Sequence, residues 1–520
     1  MSPFSGGRGR ALATLVAVVF LTFLDTTVVS VALADVQATL HAGVSQLQWV
    51  VNSYALVFAS LMLAAGALGD RLGRKKVMLG GLAVFCAGSL LGALAPGAGT
   101  LIAARAIMGL GAAASEPGTL SIIRHLYTRR EERARALGVW AAVAGLALAL
   151  GPVIGGLLVG VGGWRDVFWF NLAAGVAILL VAVAVVPESS DRPSARWDIA
   201  GFVLGPLALA ALIFAVILGE THGYRSPLIL ALFVVGGAAL AASILAELRA
   251  PAPMLDLRYF RRPPFTGALV VAFAAYFGIF SIFFFTALYL QVVVGYSAFR
   301  LAGLFAPMAG ALIFGSVFAG RWVAGVGPRL PMTLGCLAAA AGVLLTDVAL
   351  RGQPGFIALA APLALAGLGF GVAVVPATSV ALGVVPPEHS GMAAAATTTS
   401  RELGTVIGVA VLGSLVNGQL AAGLSQRLAA LGIPTGFRDV VINAVETGQV
   451  PKGSSAAGAS AAFGPIVAKV IGAAYGAFRS GLSVSLVVAG VVILGAGVVA
   501  WTTLASAARA GELVDQEGTR

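Results

Sequence analysis

Apolar runs of about 20 residues recur from one end of the chain to the other, broken by short polar intervals. A helix needs about 20 such residues to cross the roughly 30 Å hydrocarbon core of a bilayer. Laid along the sequence, that length predicts fourteen spanning helices, at 11–34, 48–68, 77–95, 99–122, 136–159, 165–186, 199–218, 228–248, 266–290, 300–320, 332–350, 355–380, 391–415 and 480–503. The expected fold class is an all-α polytopic membrane protein. The interval Gly66–Leu79, GALGDRLGRKKVML, packs Asp70, Arg71, Arg74, Lys75 and Lys76 into a short charged loop that cannot lie in hydrocarbon. Residues 416–479 form one long outer loop. Its GIPTG and GSSAAGAS pieces read as flexible, and 418–431 and 461–477 as amphipathic helices on the membrane surface.

Composition supports this pattern: 59% of the 520 residues are hydrophobic, only 10% are charged, and mean hydropathy is +0.98. The formal charge of +11 raises nucleic-acid binding as an alternative, but the basic residues are spread over short loops instead of one patch. The positive-inside rule accounts for them. With the N-terminus inside, the inner segments hold Arg8, Arg10, Arg71, Arg74, Lys75, Lys76, Arg124, Arg129, Arg130, Arg133 and Arg135, and others follow through the second half. The short outer loops hold only Arg165, Arg225, Arg300 and Arg351, so both termini are expected in the cytoplasm and the protein in the plasma membrane. Arg8 and Arg10 precede an apolar run too long for a signal peptide and lacking a cleavage pattern, so that run is read as the retained first span. Cys86 and Cys336 lie inside apolar segments, and His41, His125, His222 and His389 fall in loops or at helix ends, which points to no disulfide and no metal site. The chain has no GxxxxGK[ST] loop, so ATP is not its energy source.

The sequence also repeats itself. GLGAAASEPGT (Gly109–Thr119) returns as GLGFGVAVVPAT (Gly367–Thr378), and the charged loop has a weaker echo around Arg321 that lacks the Asp. Three units are expected: a six-helix bundle at 1–187, two inserted helices at 188–264, and a second six-helix bundle at 265–520. Parallel halves of this kind close around a midplane cavity and rock against each other.

Several motifs resemble one family in order and spacing. GALGDRLGRKK resembles the signature between spans 2 and 3 of the major facilitator superfamily, and more narrowly the chain resembles its fourteen-span drug:proton antiporters. LDTTVVSVAL (Leu24–Leu33) and WVVNSYAL (Trp49–Leu56) are similar to that group's spans 1 and 2. Arg105 with Gly109 matches its span 4, GPVIGG (Gly151–Gly156) its span 5, and WRDVFWFN (Trp164–Asn171) the beginning of its span 6. YLQVVVGYSAFRLAG (Tyr289–Gly303) and SRELGTVIGVAV (Ser400–Val411) extend the match into the second half. Ser30, Ala34 and Glu116 depart from the common pattern.

The resemblance implies a major facilitator fold and a proton-coupled antiporter exporting amphipathic compounds, cations among them. Transport of a lipid or a self-made metabolite stays open, and a sensor or membrane-embedded enzyme is a remote alternative without a nucleophile–base pair to support it. Its partners would be the small-molecule substrate, protons and the lipid bilayer, with no cofactor and no nucleic acid, and the protein would work as a monomer. The resemblance also makes Asp70, Arg71, Gly73 and Arg74 a gate, with Asp70 close to the start of span 13 near His389–Gly391, where a helix N-terminus carries partial positive charge.

An ionised side chain deep in a bilayer costs at least about 2.5–3.5 kcal/mol, so each one needs a reason. Asp25 in span 1 and Arg105 in span 4 lie about 13 Å and about 9 Å below their outer ends, so the two meet at similar depth. They are read as a proton carrier and its charge partner, or as a static ion pair. Glu116, nearly on the same face of span 4 as Arg105 and about 16 Å deeper, is a second protonation or substrate-charge site, or else a partner of Arg124 or of a backbone carbonyl. Arg401 and Glu402 lie well inside span 13; structural pairing is the expected role of Arg401, and a functional one for Glu402 stays open. Asn52 and Tyr54 in span 2, and Tyr276, Phe280 and Tyr289 in the aromatic span 9, complete the substrate-binding candidates, although the phenylalanines could equally face lipid. Gly151, Pro152, Gly155 and Gly156 predict a kinked, closely packed span 5, to which the resemblance adds a conformational seam between the halves.

Overall fold

The computed structural model describes residues 6–42, 44–189, 199–250, 253, 255–294, 296, 298–352, 355–386, 389–430 and 465–517. Among them the chain forms α-helices and one short 3₁₀ turn, and no strand. The first half holds α1 (Gly7–Leu40), α2 (Val44–Leu72), α3 (Arg74–Ala93), α4 (Ala98–Leu126), α5 (Arg130–Gly162) and α6 (Arg165–Val185). Next come α7 (Ile199–His222) and α8 (Pro227–Arg249). The second half holds α9 (Pro263–Val292), α10 (Ala298–Val326), α11 (Arg329–Ala349), α12 (Phe356–Val384), α13 (Ser390–Ala430) and α14 (Pro465–Glu517). Thirteen of the fourteen contain a stretch long and apolar enough to cross a membrane; α5, 33 residues long, holds a shorter one, Val153–Gly162. The protein is therefore a multi-pass membrane protein.

Helices α1–α6 pack on one another, and α9–α14 do the same. The two groups meet along α5 with α10 and along α2 with α13, while α7 and α8 pair and α7 rests on α2 and α13. Small residues permit this closeness. A Cβ on Gly111 would collide with the Phe85 backbone and stand 2.6 Å from the Gly81 carbonyl, so α3 and α4 can approach only where both carry glycine. Gly111→Val is expected to destabilise the protein by about 1–3 kcal/mol or more, read as a lower melting midpoint in detergent; an unchanged midpoint contradicts this packing.

The structure corrects two expected loops. The charged interval after α2 is a single residue, Gly73, at φ 110°, and Asp70, Arg71 and Arg74 belong to helix ends. A glycine in this conformation turns the chain without any longer loop. At the other end of the bundle, α13 runs on to Ala430 and α14 already begins at Pro465. The two expected surface helices are thus extensions of these spans. They bury Leu424 and Leu428 against Ala473, Ala474 and Ala477, because each apolar face finds the other. The GIPTG and GSSAAGAS pieces lie outside the described residues.

Candidate functional site

Asp25, Arg105, Tyr54 and Asn171 meet in the interior of the first half, each at most 1% exposed. Asp25 Oδ2 forms an ion pair with Arg105 Nη1, and its Oδ1 accepts a hydrogen bond of 2.6 Å from Asn171 Nδ2 on α6. Arg105 Nε donates to the Val50 carbonyl of α2 at 3.0 Å, and its guanidinium stands 4.4 Å from the centre of the Tyr54 ring. The Tyr54 hydroxyl in turn donates to the Thr22 carbonyl of α1 at 3.3 Å. Four helices therefore hold one carboxylate, and both its oxygens are bonded, which is how a buried charge is tolerated. Asn171 was not among the expected site residues. Its signal was an amide in an otherwise apolar helix, where an unbonded polar group is costly.

A second group lies where the halves meet. Arg401 of α13 is fully buried; its Nη2 donates to Thr378 Oγ1 of α12, and its guanidinium lies 5.1 Å from the Trp140 ring of α5 and 5.5 Å from the Tyr276 ring of α9. Its Nε and Nη1 have no hydrogen-bond partner among the described residues. Glu116 of α4 is also fully buried, and neither carboxyl oxygen has a partner among the described residues. Arg124 donates to the Val385 carbonyl at 2.7 Å, and the alternative in which it partners the Glu116 carboxylate is not met among the described residues. Trp140 is held by its Nε1 donating to Thr119 Oγ1 at 3.0 Å, and Thr119 donates to the Glu116 carbonyl at 2.7 Å. Sequence reasoning missed Trp140 and Thr378 because nothing in their local pattern marks what they touch.

Beside this group lies a cavity of about 60 Å³ shared by both halves, lined by Gly145, Tyr276, Phe283, Phe305, Ser316 and Phe370 among others. Drug-sized ligands occupy pockets of about 300–1,000 Å³, so this cavity is too small for them in this conformation. Asn52 and Glu402 are half-buried on α2 and α13. Tyr289 stacks on Phe478 of α14, with centroids 6.0 Å apart, instead of lining the cavity. Phe284 is 50% exposed on the outer surface of α9, which supports the lipid-facing reading for that residue. The side chains of Phe280, Pro152, Ser30 and Ala34 lie outside the described residues.

Asp70 closes one end. Its Oδ1 and Oδ2 accept from the Gly391 and Met392 amides, each at 3.0 Å, at the start of α13. Arg74 fixes the carboxylate from its own side at 2.8 Å. Gly391 is required here, since a Cβ would collide with the Asp70 carboxylate. Arg71 turns away from this contact and lies 5.7 Å from the Phe202 ring of α7. Arg321 in the repeat is exposed, and no acidic partner faces it among the described residues. Gly151 and Gly155 pack on Thr27 and Val28 of α1, inside the first half, so the seam between halves is not built there. Gly138 and Gly145, facing Ser316 and Leu312 of α10, occupy it instead, and Gly156 faces open space.

A family model, the Major Facilitator Superfamily, matches residues 15–409. The chain is 34% identical over 420 residues to a Mycobacterium tuberculosis protein named multidrug resistance protein Stp, covering 80% of this chain and 78% of that one. It is 31% identical over 509 residues to the tetracenomycin C resistance and export protein of Streptomyces glaucescens, covering 96% and 93%. In fold it is similar to the human organic anion transporter MFSD10 (TETRAN), with TM-score 0.62 at 16% identity over 95% of this chain and all of that one.

Proposed function

The chain belongs to the major facilitator superfamily, and from that premise we propose that it exports small amphipathic compounds from the cytoplasm in exchange for protons, by alternating access. The observation that carries this reading is the Asp25–Arg105 pair, a buried carboxylate bonded across α1, α2, α4 and α6. A group that can gain and lose a proton is needed at the centre of a proton-driven exchanger, and Arg105 stabilises its ionised form without titrating itself. Relatives named for drug resistance and export support the outward direction. The basic residues of the sequence support placing the Asp70 end in the cytoplasm, both termini with it, and the protein in the plasma membrane. The conformation described is then closed toward the cytoplasm by Asp70 on the α13 N-terminus.

Alternating access requires only that substrate and proton differ in their affinity for the two states. Reconstituted vesicles with an imposed pH gradient test the reading against aromatic dyes of positive, negative and no charge. At least one dye is expected to move against its own gradient, and a protonophore should stop it. Movement unaffected by the protonophore rules out proton coupling.

A further inference from the structure

Arg401 and Glu116 are two fully buried, oppositely charged residue types from opposite halves, each left with unbonded polar atoms. Both lie about 15 Å along their helices from the Asp70 end, so they sit at one depth. No ion pair joins them; Thr119 bonds the Glu116 carbonyl and accepts from the Trp140 indole, whose ring lies 5.1 Å from the Arg401 guanidinium. Buried polar atoms without partners are rare and costly, and Arg401 stands beside Tyr276, which lines the one interior space shared by both halves among the cavities described. The rings of Trp140 and Tyr276 lie 5.1 and 5.5 Å from the Arg401 guanidinium, and Nε and Nη1 are left as donors without a hydrogen-bond partner among the described residues. An arginine is always charged, and its donors suit an oxyanion best.

We propose that Arg401 is the specificity-determining anchor for an acidic group on a flat aromatic substrate, and that Glu116 receives a hydroxyl or amine hydrogen of the same molecule. The exported compounds are then aromatic acids and phenolates more than simple cations. The second-half walls suit them, since the aromatic residues Tyr276, Phe283, Phe305 and Phe370 line the cavity and Tyr276 stands beside the charge. Arg401 also joins α13 to α12 and, through Trp140, to α5 of the first half, so a substrate bound there touches both moving bodies. This inference rests on the export reading above.

Binding to the full-length protein in nanodiscs separates the two. The probes are 2-naphthoate, its methyl ester and 2-naphthylmethylamine, which share one ring system, together with 6-hydroxy-2-naphthoate. The acid should bind about tenfold or more tightly than the ester or the amine, as expected for a hydrogen-bonded charge. Arg401→Gln should erase that preference, and Arg401→Lys should keep part of it. Glu116→Gln should erase any gain from the hydroxyl while keeping the preference for the acid. Tighter binding of the amine, equal losses for all probes in Arg401→Gln, or no binding of any probe overturns the proposal. If Arg401→Gln does not fold, the ranking of the probes on the wild type decides alone. Gradient-driven transport of neutral or cationic dyes without this ranking would refute the anchor and leave the export reading standing.

Discussion

Asp25→Asn will abolish pH-gradient-driven export while the protein stays folded and exchanges substrate down its own gradient. The substitution keeps an oxygen to accept from Arg105, which retains its bond to the Val50 carbonyl and its place against Tyr54. Asn171 presents Nδ2 to Asp25 while its Oδ1 has no partner, so turning its amide over gives the new amide an acceptor. Truncating one member of a buried ion pair costs about 3–5 kcal/mol, and an amide of the same shape avoids much of that cost. It cannot, however, bind and release a proton near neutral pH. The measurement is dye accumulation in reconstituted vesicles under an acid-outside gradient, beside counterflow with no gradient. Gradient-driven accumulation should fall to the level of empty vesicles while counterflow persists. Accumulation at the wild-type rate would remove Asp25 as the proton carrier.

Asp70→Ala will open the end proposed above to face the cytoplasm. The carboxylate makes two charge-assisted bonds of 3.0 Å to the first amides of α13, and no other described side chain bonds them. Its loss costs the closed state about 2 kcal/mol, judged from helix caps and from hydrogen bonds to charged groups. That shifts the ratio of closed to open molecules about thirtyfold. A cysteine placed at Ser316, which lines the cavity, reports the change. A membrane-impermeant thiol reagent applied from the cytoplasmic side should label it about ten- to thirtyfold faster in Asp70→Ala. Equal rates would mean that the contact between α2 and α13 holds without its carboxylate, through Gly66 packed on Gly391 and Ala395. The Arg124 bond to Val385 acts at the same end and keeps part of the closure in place.

The two predictions differ in how far the sequence alone could reach. Asp25 and Arg105 were legible as a pair because each is an isolated charge in an apolar run, and helix rise gave them similar depths. The approach of Asp70 to the start of α13 rested on the family resemblance, because the two are 321 residues apart. The size of the charged loop was misread because a polar stretch looks like a loop whether or not its helix continues. For the same reason the long outer interval concealed the extensions of α13 and α14. Tyr276 and Tyr289 look alike in sequence, yet one lines the cavity and the other stacks on Phe478.

By itself the sequence determined that the chain is a succession of long apolar helices, and which charges had to be buried. Those properties follow from local composition, since a bilayer acts on each segment of chain separately. Partners were decided only by the tertiary structure. Asn171 with Asp25, Thr378 and Trp140 with Arg401, and the orphaned oxygens of Glu116 depend on how each helix is rotated about its axis and tilted against its neighbours. In hydrocarbon that rotation is set by packing of small residues and by buried polar bonds between distant segments, and neither leaves a local period to read.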